Sequence, residues 1–231
     1  MTELHYFKGR GRAETTRWML AANQIAFENV PVETPEMLAA LRMSGKLPFD
    51  QMPLLEINGL KLSQSSAMIR YLARLGGLYG DSDADAVWCD MIVGTTADFA
   101  ETAMQAPFQP TEDLAKSAMR SRFAKFGTRF EARLAENGTG FCVGAGMTFA
   151  DIILTEALNS YLEWCPDILA NTPLLDALNE RISNAPGIAS YLSSAQRYTQ
   201  AGETYVIDVA SVLQRTLPPH MSNANRFVPA G

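Results

Sequence analysis

The residues of this chain that offer chemistry fall in short runs rather than singly. Tyr6 closes a stretch of strand-forming residues and is followed by Gly9-Arg10-Gly11-Arg12. A phenol can donate a hydrogen bond to an anion, and nearby cations help to hold that charge. Taken without its neighbours, Tyr6 also reads as a plain β-former and the Gly/Arg run as a solvated turn. Gln51-Met52-Pro53 leads into a second strand-like run. A proline at a strand start gives up no ladder bond, and an X–Pro bond adopts cis at modest cost. If cis, it would turn the Met52 backbone toward an extended peptide; if trans, it is an ordinary strand start. Gln64-Ser65-Ser66 opens a helix, where Ser65 can cap and free first-turn N–H groups can hold an anion. Together these runs describe a pocket for a small acidic peptide. A helix N-terminus takes one carboxylate, Arg42 or Lys46 the other, strand-edge backbone the peptide bond, and a phenol faces the middle.

Other chemistries are poorly provided for. The chain has no GxSxG, Walker loop or HExxH, and His5 and His220 are its only histidines. Cys89, Cys142 and Cys165 are odd in number and lack CxxC spacing, which argues against zinc or a disulfide framework. The reading is a reduced protein with no metal. The net charge of −6 gives no reason to expect nucleic acid. MTELHYFKGRGRAE lacks the apolar run of a signal peptide, and no stretch approaches the roughly 18 apolar residues of a span. The expectation is a cytoplasmic protein without stable membrane association.

The elements that must position these runs divide the chain in two. Its 231 residues suffice for one large or two small cores. Strand candidates at Leu4 to Phe7 and Phe27 to Val32 flank a helix over Ala13 to Ala22, and Pro35 starts a second helix. Leu54 to Ile57, Asn58-Gly59 and Leu60 to Leu62 form a hairpin pattern, and Ser65 opens an amphipathic helix through Leu75. This βαβ-then-ββα order resembles thioredoxin-like domains. A glycine-rich link around Gly76, Gly77 and Gly80 follows, and beyond it the spacing is helical. Met119, Phe123, Phe126, Phe130 and Leu134 make one stripe. Thr148 and Asp151 form a capping box, read as serving folding only. The expected architecture is therefore an α/β domain over 1–80 and an all-α domain over 81–231. In the tail, Val206, Val209, Val212 and Leu213 fit one short helix, and His220 to Gly231 read as flexible.

Two runs, LHYFKGRGRAETTRW and QMPLLEINGLKLSQSSAMIRYLA, closely resemble the cytosolic glutathione transferases, and GRGR after the tyrosine points to the alpha class. The resemblance continues through GLYGD and VGAGMTFADI to about Tyr191. It implies Tyr6 as the catalytic tyrosine and Arg12 as a second group stabilising the glutathione thiolate. It places Arg42 on the glycine carboxylate, with Lys46 and Gln51 beside it, and Met52 on the cysteinyl backbone next to cis-Pro53. Gln64 and Ser65 would hold the γ-glutamyl end, helped by Asp98 of the partner subunit. Lys125 stands where the family has an arginine, and a lysine cannot make that bidentate contact. Ser65-Ser66 replaces the class's Thr-Arg and keeps the hydroxyl. The family also implies a homodimer in which Phe49 inserts between partner helices lined by Met91 and Phe130.

Glutathione would serve as co-substrate, with no cofactor. Its thiolate would attack hydrophobic electrophiles, in detoxification, or a peroxide oxygen, in a cleft lined by Phe7, Met104 and Phe108 with the tail closing over it. Those three residues read equally as core. The rival readings are a non-enzymatic binding or structural protein on the same fold, and a glutathione-dependent isomerase. A thiol–disulfide oxidoreductase is disfavoured, because Tyr6 stands where such a protein needs cysteine.

Overall fold

The computed structural model describes residues 1–217 and 219–222. In the first half, β1 (Glu3–Tyr6), α1 (Glu14–Ala22), β2 (Glu28–Pro31), α2 (Pro35–Met43), β3 (Leu54–Ile57), β4 (Leu60–Ser63) and α3 (Ser65–Leu75) follow in order. The four strands form one mixed sheet in the order β2-β1-β3-β4. β1 runs parallel to β2, with Tyr6 opposite Pro31, and antiparallel to β3, with His5 opposite Leu54. The β3–β4 hairpin turns on Asn58 and Gly59, at φ 51° and 77°, as an Asn-Gly pair permits.

Alternate strand residues decide what the sheet covers. Leu4, Tyr6, Leu55 and Ile57 join Trp18, Met19 and Leu20 of α1 and Met68 and Leu72 of α3 in the main core. The strand limits differ from the sequence reading by one residue, so Tyr6 rather than Phe7 ends β1.

The second half is helical: α4 (Asp83–Gln105), α5 (Glu112–Asn137), α6 (Phe149–Trp164), α7 (Pro173–Ser183), α8 (Pro186–Leu192) and α9 (Glu203–Val212). The long helices α4 and α5 start at side-chain caps. Ser82 and Thr111 accept first-turn N–H bonds, and Gly138 ends α5 at φ 68°. Of the α5 stripe, Met119, Phe123, Phe130 and Leu134 are buried and Phe126 partly so. Three of its rings surround Phe99, which stacks on Tyr161 with centroids 4.1 Å apart.

Asp151 does more than cap α6. One carboxylate oxygen accepts from the Thr148 N–H and hydroxyl, each at 2.8 Å, and the other from Cys142 N–H at 2.7 Å. The cap thus also pins the loop before the helix.

The two halves are joined by a buried polar cluster. Arg17 pairs with Glu14 at 3.0 Å, both nearly inaccessible, and the Tyr191 hydroxyl on α8 donates to Glu14 at 2.8 Å. Arg10 reaches Glu163 of α6 at 2.6 Å and the Tyr198 carbonyl at 2.7 Å. Gly187 packs so closely on the Ala21 carbonyl that a Cβ there would collide with it.

The tail corrects one expectation. The valine run is α9, but Pro219–Ser222 form a further 3-10 turn, with Met221 buried and the His220 ring nitrogen 2.9 Å from the Phe108 carbonyl. The rest of the segment read as flexible, 223–231, lies outside the described residues. Among the described residues no helix is long and apolar enough to cross a membrane. All three cysteines are free and buried.

Candidate active site

Tyr6 is 7% exposed, with the Phe7 ring meeting it edge-on at 5.1 Å between centroids. Its oxygen accepts the Arg12 backbone N–H at 3.1 Å. The bond forms because the chain turns back at once through Gly11–Ala13, a 3-10 turn whose first residue has φ 43°. A side chain at Gly11 would meet the Tyr6 hydroxyl at 2.6 Å, so the turn needs glycine for both backbone and space.

Arg12 meets the phenol with its amide rather than its guanidinium. The side chain is exposed and lies 3.5 Å from Glu101. The charge placed beside the thiolate by the sequence reading is therefore aimed at α4.

The peptide-binding runs converge. The Met52–Pro53 bond is cis. The Gln64 side chain donates to that of Gln51 at 2.8 Å, which ties the segment before β3 to the segment after β4. Gln64 itself has φ 67° and ψ 107°, and this kink delivers Ser65 as the first residue of α3. The helix's first bonds run from the Ala67 and Met68 N–H groups to the Gln64 carbonyl, so the amides of Ser65 and Ser66 before them suit an anion.

The two cations differ in availability. Lys46 binds Glu56 at 2.7 Å, and Glu56 also meets the His5 ring at 3.0 Å. That hydrogen bond raises the Lys46 pKa and lowers that of Glu56. Arg42, in the last turn of α2, is exposed. Of the two, Arg42 is the one open to a ligand carboxylate.

Phe7 and Met104 are half-buried and Phe108 is 41% exposed. Phe49 and Met91 lie on the surface, at 65% and 47% exposure. Phe130 does not join them, being 4% exposed and packed on Phe99 inside its own subunit. Asp98 and Lys125 are exposed on α4 and α5. The Asp98 carbonyl accepts from Arg122, and the Lys125 ammonium lies 5.4 Å from the Phe126 ring centre.

One site residue was missed. Tyr205 of α9 reaches Gly11, where its hydroxyl and that of Tyr6 each lie 2.6 Å from the position a Cβ would take. Burial first, then the nearby Tyr6 phenol, push the Tyr205 pKa up. Behind it, Val212 and Leu213 pack with Val32, Leu38, Phe7, Leu41 and Met52. Nothing in the tail's composition signals a tyrosine that returns to the first strand.

These features define a two-domain protein of the thioredoxin-like class, with Tyr6 closing its first strand and an all-helical partner domain. The family models agree. "Glutathione S-transferase, N-terminal domain" matches residues 2–74 and "Glutathione S-transferase, C-terminal domain" residues 97–195. The chain is 37% identical to glutathione S-transferase 3 of Gallus gallus over 91% of its own length and 94% of the relative's. It is 37% identical to glutathione S-transferase A1 of Bos taurus, over 91% and 97%. A monomeric glutathione S-transferase of the hookworm Necator americanus superposes with a TM-score of 0.74 at 25% identity, over 84% and 97% of the two chains. The chain belongs to the glutathione S-transferase family.

Proposed function

We propose that the protein is a transferase joining the sulfur of glutathione to hydrophobic electrophiles. The observation that carries this reading is the Tyr6 hydroxyl, which accepts the Arg12 amide at the end of β1, the strand paired with β3 just past cis-Pro53. Ser65 and Gln64 hold the γ-glutamyl end, the Met52 backbone the cysteinyl unit, and Arg42 the glycine carboxylate.

A free thiol has a pKa of about 8.5, so only a few per cent is thiolate near pH 7. Lowering that value by about two units takes roughly 2.7 kcal/mol of preferential interaction. One charge-assisted hydrogen bond supplies about 1.5–3 kcal/mol, so a single phenol is of the right size. Its oxygen already accepts the Arg12 N–H, which polarises the O–H toward the sulfur. The thiolate then forms a C–S bond at an electrophilic carbon; a leaving group such as halide departs with its bonding electrons, or, where there is none, the anion formed takes up a proton. A peroxide oxygen is an alternative target of the same nucleophile.

The proposal extends to assembly and setting. The exposed Phe49 and the exposed Val87, Trp88 and Met91 along α4 suit a homodimer, in which Asp98 of the partner subunit would lie near the γ-glutamyl end. Three free, buried cysteines suit a reducing compartment such as the cytoplasm, and a role in detoxification.

The test is conjugation of glutathione to a chromogenic aryl halide near pH 6.5. Tyr6→Phe is expected to cut kcat/KM about tenfold or more, from the loss of one such bond, with glutathione affinity largely kept. Unchanged turnover would reject the role given to Tyr6.

A further inference from the structure

On the face of the sheet away from the main core, an imidazole and two carboxylates converge on one point. Glu3 and His5 alternate along β1, and antiparallel pairing sets Glu3 directly opposite Glu56 of β3, so all three project from one face. The other face sends Leu4, Tyr6, Leu55 and Ile57 into the core. The His5 Nε2 lies 3.0 Å from Glu56 and 3.4 Å from Glu3, and the three donor atoms all lie within 4.8 Å of one another. His5 is 7% exposed, so its ring is held in place by its surroundings. One imidazole nitrogen carries at most one hydrogen, which cannot bond fully to both carboxylates. A cation placed between the three would satisfy them together.

We propose that Glu3, His5 and Glu56 form a site for a divalent cation of the zinc type, with Nε2 and one oxygen of each carboxylate as ligands and a fourth position left to water. Donors about 2.0–2.1 Å from a tetrahedral zinc stand about 3.3–3.4 Å apart, close to the two nitrogen–oxygen separations present here. Imidazole and carboxylate donors without a thiolate suit zinc and its first-row neighbours rather than a soft ion. All three ligands stand on paired strands, a more precise support than a loop. The hydrogen bond from Lys46 already holds the Glu56 carboxyl below its ordinary range, so that ligand is ionised before any metal arrives. Lys46 is also the rival, since its ammonium lies 2.7 Å from the same Glu56 oxygen that faces His5. Its side chain is partly exposed and can withdraw to solvent. With two histidines in the whole chain, composition gave little reason to expect a metal; this site uses one of them, and strand register brings in Glu56 from far along the sequence.

The test takes the full chain, stripped of metal by a chelator, and titrates it with Zn²⁺ alone in a calorimeter. Saturable uptake of a single zinc per chain is expected, together with a rise in the thermal midpoint, because the ion binds the folded state. Glu3→Gln keeps the side chain's shape and removes a ligand charge. Outer-shell changes alone cost about 10–100-fold in metal affinity, so this variant is expected to bind about tenfold or more weakly and to lose the thermal shift. His5→Gln is expected to do the same. Should that buried change prevent folding, as circular dichroism would reveal, the partly exposed Glu3 still decides the matter. Lys46→Met is expected to bind zinc about threefold or more tightly, because a competing positive charge has gone. No uptake by the parent chain would overturn the site. So would uptake that Glu3→Gln leaves unchanged, which would put the zinc elsewhere on the molecule.

Discussion

At the scale of single residues, the site depends on how close the backbone comes to one oxygen. The Arg12 amide reaches Tyr6 only because Gly11 lets the chain turn without a side chain in the way. Gly11→Ala should therefore lower turnover about tenfold or more, through both a strained φ and a methyl beside the phenol. The measurement is kcat with the fold checked by circular dichroism; a wild-type rate would show that the turn has room to spare. Ser65→Ala tests the opposite end of the ligand. Loss of one hydrogen bond to a carboxylate should raise the glutathione KM about tenfold and leave kcat nearly unchanged. A fall in kcat at unchanged KM would move Ser65 from binding to chemistry. Tyr6 and Ser65 were legible because each stands in a local pattern of strand end and helix start. Which part of Arg12 faces the phenol was not legible, since amide and guanidinium share one residue number. Tyr205 was hidden for a different reason: its contact joins opposite ends of the chain.

At the scale of elements, local signals located the helices better than they explained them. The hairpin at Asn58-Gly59 and the start of α3 at Ser65 follow directly from turn and cap chemistry. The strand order β2-β1-β3-β4 does not, because pairing is decided by which faces meet rather than by any one strand. The Thr148–Asp151 box shows the same limit. Spacing reveals the cap, whereas the bond from Cys142 N–H comes from a loop whose path no periodicity describes. Asp151→Ala removes three buried hydrogen bonds at once and leaves the loop amide unpaired. The expected cost is about 3–5 kcal/mol, read as a loss of folded yield and a lower denaturation midpoint. A shift below about 1 kcal/mol would reduce the box to a helix cap of the ordinary kind.

At the scale of the whole molecule, charge burial and assembly make two separate claims. Loss of solvation, with the Glu14 carboxylate nearby, pushes Glu156 up from 4.5 to about 8. The folded protein then keeps a proton that the unfolded chain has already lost, so stability falls as pH rises from about 4.5 to about 8. Glu156→Gln should flatten that slope and stabilise the protein most above pH 8, as followed by thermal midpoints across the range. A parallel, unflattened curve would mean Glu156 ionises normally. For assembly, light scattering should give a mass near twice 25.3 kDa, with Phe49→Ala shifted toward the monomer. A monomeric parent protein would remove the dimer from the proposal.

The salt-bridged cluster of Glu14 and Arg17, completed by Tyr191, bears on whether the two halves can be had separately. A fragment ending near the glycine-rich link would keep its sheet but lose the hydroxyl on Glu14 and the carboxylate on Arg10. It would also uncover the face of α1 that packs on α6 and α8. Proteolytic nicking of the link should thus leave an assembled, working complex, whereas each piece made alone should aggregate. Swapping the first half into a distant relative would fail for the same reason, unless the matching residues of the second half travelled with it.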